Sequence, residues 1–255
     1  MPSVHAGDLD VNYIEAGAGT PLLLVHGNWA TSSWWEPTLA RLPPGRRAVA
    51  YDMRGRGATR GPDSAYSIPS LAADLRALSD ALGLARFDLV GHSLGSCVAM
   101  EFALAHPDRL RSLVVVSPGW IDGMPGAYAM PERQQQLKDD PVFLETALRA
   151  IVPGAPNDDY WRRLVREGGQ QSLAAALALL PSLTDWRPGD AVGHIDVPRV
   201  VISGALDMFT GGPNATRVAS ALGCELITMA SVGHGPMIEA PDEFAAILWG
   251  RLAPP

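Results

Sequence analysis

The sequence predicts an α/β protein built on a doubly wound, mostly parallel sheet. Three observations carry this expectation. Apolar runs of strand length recur along the chain. Stretches with helical spacing separate them. One run passes through Gly91-His92-Ser93-Leu94-Gly95 into a helical stretch. Strands covered on both faces read as continuous apolar runs, and their alternation with helices over a long span marks this class.

In order, residues 8–14 alternate polar and apolar, as an edge strand with one solvated face does. Residues 22–25 (Leu-Leu-Leu-Val) and 48–51 (Ala-Val-Ala-Tyr) are continuous apolar runs, expected inside the sheet. Ile68, Leu71, Leu75, Leu78 and Leu82 share one helical face, with Ser67 placed to cap the first turn and Gly83 to end the helix. Residues 87–90, 113–116, 200–203 and 226–229 supply the later strands. A closing helix over 241–252 carries Phe244, Ile247 and Leu248.

The rhythm stops between 119 and 186, where prolines at 125, 131, 141, 153, 156 and 181 divide short helical patterns. Asp140-Pro141 opens one helix through Ile151, and Asn157 is placed to cap another that ends at Gly168-Gly169. The expectation is one core from residues 1–118 and 187–255, with a helical cap inserted at 119–186. The insertion's Trp120, Met124, Tyr128, Met130, Phe143, Tyr160, Trp161 and Trp186 exceed what such short helices can bury among themselves. Most are expected to pack onto the core. A few, with Trp29, are expected to line an apolar pocket above Ser93: Trp120, Met124, Tyr128 and Trp161.

Composition narrows the partners. The 255 residues are 47% apolar and 18% charged, enough for a sizeable core without disulfides, and the net charge of −7 argues against nucleic acid or an anionic membrane. Cys97 and Cys224 are expected as buried free thiols, which fits a reducing compartment. With no apolar h-region near the start and no apolar stretch of membrane-spanning length, a cytoplasmic protein is expected. No cluster of His, Cys and carboxylates has metal-ligand spacing. Neither a metal nor any other cofactor is expected, and the partner is a small-molecule substrate.

A serine on a strand-to-helix turn is held in a strained conformation with its hydroxyl exposed, and glycines two residues to either side make room for the turn. To act as a nucleophile it needs a histidine base held by a carboxylate. Of six histidines, His234 stands in Gly233-His234-Gly235, after the last strand and before the closing helix, at the strand ends where open α/β sheets form their sites. His92 adjoins Ser93 but is expected to point away from it. His5, His106 and His194 read as structural or solvated, and His26 as a buried residue that fixes its loop. Asp207, after the 200–203 strand, is the expected carboxylate, with a helix-capping role near Thr210-Gly211-Gly212-Pro213 as the bland alternative and Asp122 as the rival position. The chain order Ser, Asp, His follows. An oxyanion hole needs two backbone N–H groups; Leu94 is one expected donor, and Asn28, in His26-Gly27-Asn28-Trp29, is the other.

Five landmarks in order make the chain similar to the α/β-hydrolase superfamily over nearly its whole length. They are His26-Gly27, Asp52-Met53-Arg54-Gly55-Arg56-Gly57, Gly91-His92-Ser93-Leu94-Gly95, Gly204-Ala205-Leu206-Asp207, and the stretch from Gly233-His234 to Pro241. The resemblance implies an eight-stranded core with a helical cap after the sixth strand, and a chiefly structural role for Asp52 and Arg54. The loop His26-Gly27-Asn28 with Trp34-Trp35 is also similar to that of haloalkane dehalogenases. Their nucleophile is aspartate followed by tryptophan, however, whereas this turn has Ser93-Leu94. Serine attack on an alkyl halide would leave an ether that water cannot cleave, so acyl transfer to water is the expected chemistry. A carboxylic ester or lactone hydrolase leads. A carbon–carbon bond hydrolase of a β-diketone-like substrate comes second, given cap arginines at 133, 149, 162, 163 and 166, and a slow triad-bearing ligand receptor third.

Overall fold

The computed structural model describes residues 2–253. Eight strands form one sheet in the order β1-β2-β4-β3-β5-β6-β7-β8. They are β1 (Ser3–Ala6), β2 (Leu9–Gly17), β3 (Thr20–Val25), β4 (Arg46–Tyr51), β5 (Phe87–His92), β6 (Leu110–Val116), β7 (Arg199–Gly204) and β8 (Glu225–Met229). From β4 onward in that order every neighbour is parallel, while β1 and β2 pair antiparallel at one edge.

Side-chain alternation divides each buried run between two cores. Leu23 and Val25 of β3, with Leu89 and Val115, face a core built with α2 (Ile68–Ala81) and α3 (Leu94–Ala105). Leu22 and Leu24, with Val90 and Val116, face the other core with α10 (Pro241–Arg251). This is why the runs contain no polar alternation. Asp88 is the exception; its carboxylate is held by Arg46 at 2.7 Å and by the Ser112 hydroxyl at 2.6 Å.

The edge differs from expectation. Residues 9–14 belong to an inner strand, with Asp8 in the turn before it, and β1 is the edge, with His5 opposite Asp10. Four residues carry too little pattern to announce a strand, and pairing alone makes one. The Ser67 cap forms as expected, its side chain accepting from the Ser70 N–H. The short α1 (Glu36–Leu39) follows the loop after β3.

Between β6 and β7 the chain builds α4 (Pro131–Asp139), α5 (Pro141–Ile151), α6 (Asp159–Gly169) and α7 (Leu173–Asp185). Asp158, not Asn157, caps α6 by accepting from the Trp161 N–H. α7 runs through Pro181 without ending there, because burial of Ala175, Ala176 and Leu179 outweighs one lost hydrogen bond. α8 (Pro213–Leu222), α9 (Pro236–Glu239) and α10 complete the chain. Cys97 is buried and Cys224 half-buried, both free. No helix among the described residues is long and apolar enough to cross a membrane.

Candidate active site

Ser93 sits where β5 turns into α3, with φ 54° and ψ −118°. A non-glycine residue in that region is strained. The turn is crowded as well: a Cβ on Gly91 would lie 2.2 Å from the Gly95 carbonyl oxygen, and one on Gly95 2.4 Å from that of Val25. The Ser93 N–H donates to the Val116 carbonyl at 3.0 Å, fixing the turn to β6.

His234 and Asp207 come together from neighbouring strand ends. His234 Nδ1 lies 2.8 Å from Asp207 Oδ2. A carboxylate can only accept, so Nδ1 carries the proton and Nε2 keeps its lone pair. Nε2 makes no hydrogen bond among the described residues. Asp207 does not cap the next helix, α8, which the chain enters through Gly212; its Oδ1 accepts from the N–H groups of Phe209 and Thr210 in the turn, while Oδ2 takes the imidazole. Burial alone would raise this carboxyl, but the hydrogen bond and charge of His234, with the two N–H groups, bring it down to about 2. Asp122, the rival, is paired with Arg217 at the surface.

Ser93 and His234 line one cavity of about 210 Å³. The serine hydroxyl makes no hydrogen bond among the described residues; in unliganded sites such contacts are commonly loose and tighten in the complex. His92 lines the same cavity, its ring 4.9 Å from that of His234, and its Nε2–H donates to the His234 carbonyl at 2.7 Å. Burial, then the neighbouring His234, lowers it to about 3, so it stays neutral. The Gly27 backbone packs against this ring and against Ser93: a Cβ there would lie 3.0 Å from His92 Nδ1 and 3.2 Å from Ser93 Cβ.

The loop after β3 faces Ser93 from the other side. The Trp29 N–H is taken by Gln171 Oε1 at 3.0 Å and its indole Nε1–H by Gln134 Oε1 at 3.1 Å, both from the helical segment. Trp29 itself has φ 53°. Asn28 lines the cavity, and its backbone N–H has no partner among the described residues. Its Oδ1 accepts from Arg56 at 3.1 Å. Leu94 also lines the cavity, and as the first residue of α3 its N–H has no intrahelical acceptor.

Trp29, Trp120, Met124 and Tyr128 line the cavity. Trp161 does not: it is fully buried behind Trp34, 6.4 Å between ring centres, with Arg149 over its face. Its position on the inner face of α6 turns it to the core, a fact that residue type alone cannot tell. Phe209, absent from the sequence reading, stands edge-on to His234 at 5.4 Å and to Trp120 and Tyr128 at 5.3 Å. Among the arginines at 133, 149, 162, 163 and 166, only Arg133 lines the cavity.

The chain belongs to the alpha/beta hydrolase family, whose sequence profile matches residues 22–247. It is 39% identical over 117 residues to a 2-hydroxy-6-oxo-2,4-heptadienoate hydrolase of Pseudomonas putida, covering 44% of this chain and 42% of that protein. The match thus spans less than half that relative's length. It is 28% identical over 207 residues to a 2-(acetamidomethylene)succinate hydrolase of Mesorhizobium japonicum, covering 78% and 74% of the two chains. Among solved structures it is similar to Est816, described as an N-acyl homoserine lactone degrading enzyme, with 25% identity and a TM-score of 0.82 over 98% of this chain and 99% of that one.

Proposed function

We infer that the protein hydrolyses a carboxylic ester or lactone of a small, largely apolar molecule through an acyl-serine intermediate, without a cofactor. One observation carries the reading: an Asp207–His234 pair whose free imidazole nitrogen borders the cavity that Ser93 also lines. Ser93 Oγ attacks the carbonyl carbon as His234 Nε2 takes its proton. The tetrahedral oxyanion is held by the Asn28 and Leu94 N–H groups. Collapse expels the alcohol, which takes the proton back from His234, and water then repeats the cycle on the acyl-serine. Residues 119–186 act as a cap whose Trp120, Met124 and Tyr128 face the substrate. A cavity of about 210 Å³ is smaller than the ~300–1,000 Å³ of drug-sized sites, so acyl groups of medium length fit best.

The test is a panel of esters, lactones and β-diketones run on the wild type and Ser93→Ala together. Medium-chain esters or lactones should turn over in the wild type alone, and a serine-directed phosphonate should add mass to the wild type only. Turnover retained in Ser93→Ala would remove the assignment.

Carbon–carbon bond hydrolysis is the second reading. It is favoured by Arg133, a cavity-lining cation with no ion-pair partner among the described residues, stacked only on Phe143 at 6.0 Å. The Pseudomonas relative's name points the same way. A carboxylate-bearing β-diketone turning over faster than any ester would decide for it. Tight ligand binding with negligible turnover of every class would point instead to a receptor.

A further inference from the structure

Behind the Asn28 loop lies a buried cation that no carboxylate among the described residues neutralises. Arg56 is 1% exposed. Its Nη1 donates to the Arg54 carbonyl at 2.8 Å and its Nη2 to Asn28 Oδ1 at 3.1 Å, both neutral acceptors. Its Nε has no partner among the described residues. Its neighbours are treated differently: Arg54 is held between Asp8 and Asp74, and the buried Arg46 pairs with Asp88. Taking a charge out of water with no opposite charge beside it is strongly unfavourable. In a hydrolase, the opposite charge that this site does see is the one that develops during reaction.

We propose that Arg56 is a positioning residue for acyl transfer: through the Asn28 side chain it orients the peptide N–H that meets the oxyanion, and its uncompensated charge stabilises that anion. The inference rests on the reading of Asn28 as an oxyanion donor. Arginine has only donors, so Asn28 must turn Oδ1 toward it, which fixes the side chain and restrains the loop. From guanidinium to oxyanion the path is one hydrogen bond, one asparagine and a second hydrogen bond, a span of at most about 10 Å. At an effective dielectric of ~20, a unit charge at that range changes a rate by roughly tenfold. The uncharged substrate carbonyl feels little of it, so the effect falls on kcat and leaves KM nearly unchanged.

The experiment compares the wild type with Arg56→Lys, Arg56→Gln and Asn28→Asp. It uses p-nitrophenyl butyrate as substrate, an alkylboronic acid that forms an anionic tetrahedral adduct with serine, and an alkylphosphonate label. Phosphonate labelling of wild type but not Ser93→Ala tests the hydrolase reading on its own; without it, both readings fall. With it, Arg56→Gln should lose about tenfold in kcat at unchanged KM and weaken boronate inhibition by the same factor. Arg56→Lys, which keeps the charge, should stay within about threefold of wild type. Asn28→Asp stands even where Arg56→Gln does not fold, because it retains the contact and turns Arg56 into an ion pair. Its urea midpoint should be no lower than that of wild type, yet it should lose tenfold or more in kcat and boronate affinity. Wild-type kcat and boronate affinity in a folded Arg56→Gln or in Asn28→Asp would overturn the proposal, as would equal impairment of Arg56→Lys and Arg56→Gln. A purely structural role would shift the urea midpoint and leave the boronate affinity of folded protein unchanged.

Discussion

His26 and His234 are both buried, both follow a strand's carboxyl end, and both carry the proton on Nδ1. His26 Nδ1–H donates to the Gly27 carbonyl at 2.7 Å, and its Nε2 accepts the Met53 N–H at 3.1 Å. His234 Nδ1–H donates to Asp207, and its Nε2 is left without a partner. The difference is the fate of one lone pair. In the first region a backbone donor occupies it, and the ring joins two loops; in the second it borders a cavity. Each region also has a buried aspartate. Asp52 receives the N–H groups of Ser32 and Ala58 and the Asn12 amide, which makes it an organiser of backbone, whereas Asp207 divides its oxygens between backbone and imidazole. The same residue types thus yield a loop clasp in one place and, in the proposed function, a general base in the other.

The sharpest way to break this comparison is to exchange the two histidines' fates. His234→Ala should lower kcat by roughly 10⁴-fold or more on the best ester. His26→Asn should leave kcat of the folded enzyme within about threefold while lowering its urea midpoint. Steady-state kinetics beside urea titration reads both, and a catalytic loss at His26 equal to that at His234 would collapse the distinction. Next in size is Asp207→Asn, which removes the charge that fixes the tautomer. A loss near 10⁴-fold at neutral pH is expected, checked by kcat against pH in both proteins.

A smaller effect comes from pH. Burial lowers His26 to about 4 and His92 to about 3, both below the unfolded value of 6.5. The unfolded chain therefore binds protons that the native state refuses, and stability falls as pH drops below about 6.5 toward 4 for His26 and 3 for His92. Asp207, depressed below 3.8, contributes stability above that value and loses it as pH falls toward about 2. Urea midpoints at pH 7, 5 and 4 should decline steadily, and less steeply in His26→Asn; identical slopes would place the titration elsewhere. Arg133→Ala is expected to be the mildest change. Neutral esters should keep kcat/KM within about threefold, and a substrate with a distal carboxylate should lose more, read by comparing the two substrates in one assay.

The helical segment between β6 and β7 contrasts with the sheet in a further way. Gln134 and Gln171 grip Trp29, Glu167 accepts the Thr31 hydroxyl at 2.8 Å, and the Ile151 carbonyl accepts the His234 N–H at 2.7 Å. Helices of little intrinsic regularity thus fasten both loops that flank Ser93.

By itself the sequence determined the inner strands of the sheet, though not its edge strand β1, together with the Ser93 turn and the strand-end positions of Asp207 and His234, because burial on two faces imposes continuous apolar runs and a tight turn demands small neighbours. Residues 200–203 and Asp207, or 226–229 and His234, are close in sequence, so local pattern suffices to read them. The tertiary structure alone decided that Arg56 would be buried behind Asn28, that His92 would hold the His234 backbone, that Phe209 would flank the imidazole and that Trp161 would turn inward. Each of these depends on contacts between segments far apart in the chain, and no local periodicity encodes which side chains a folded sheet will bring face to face.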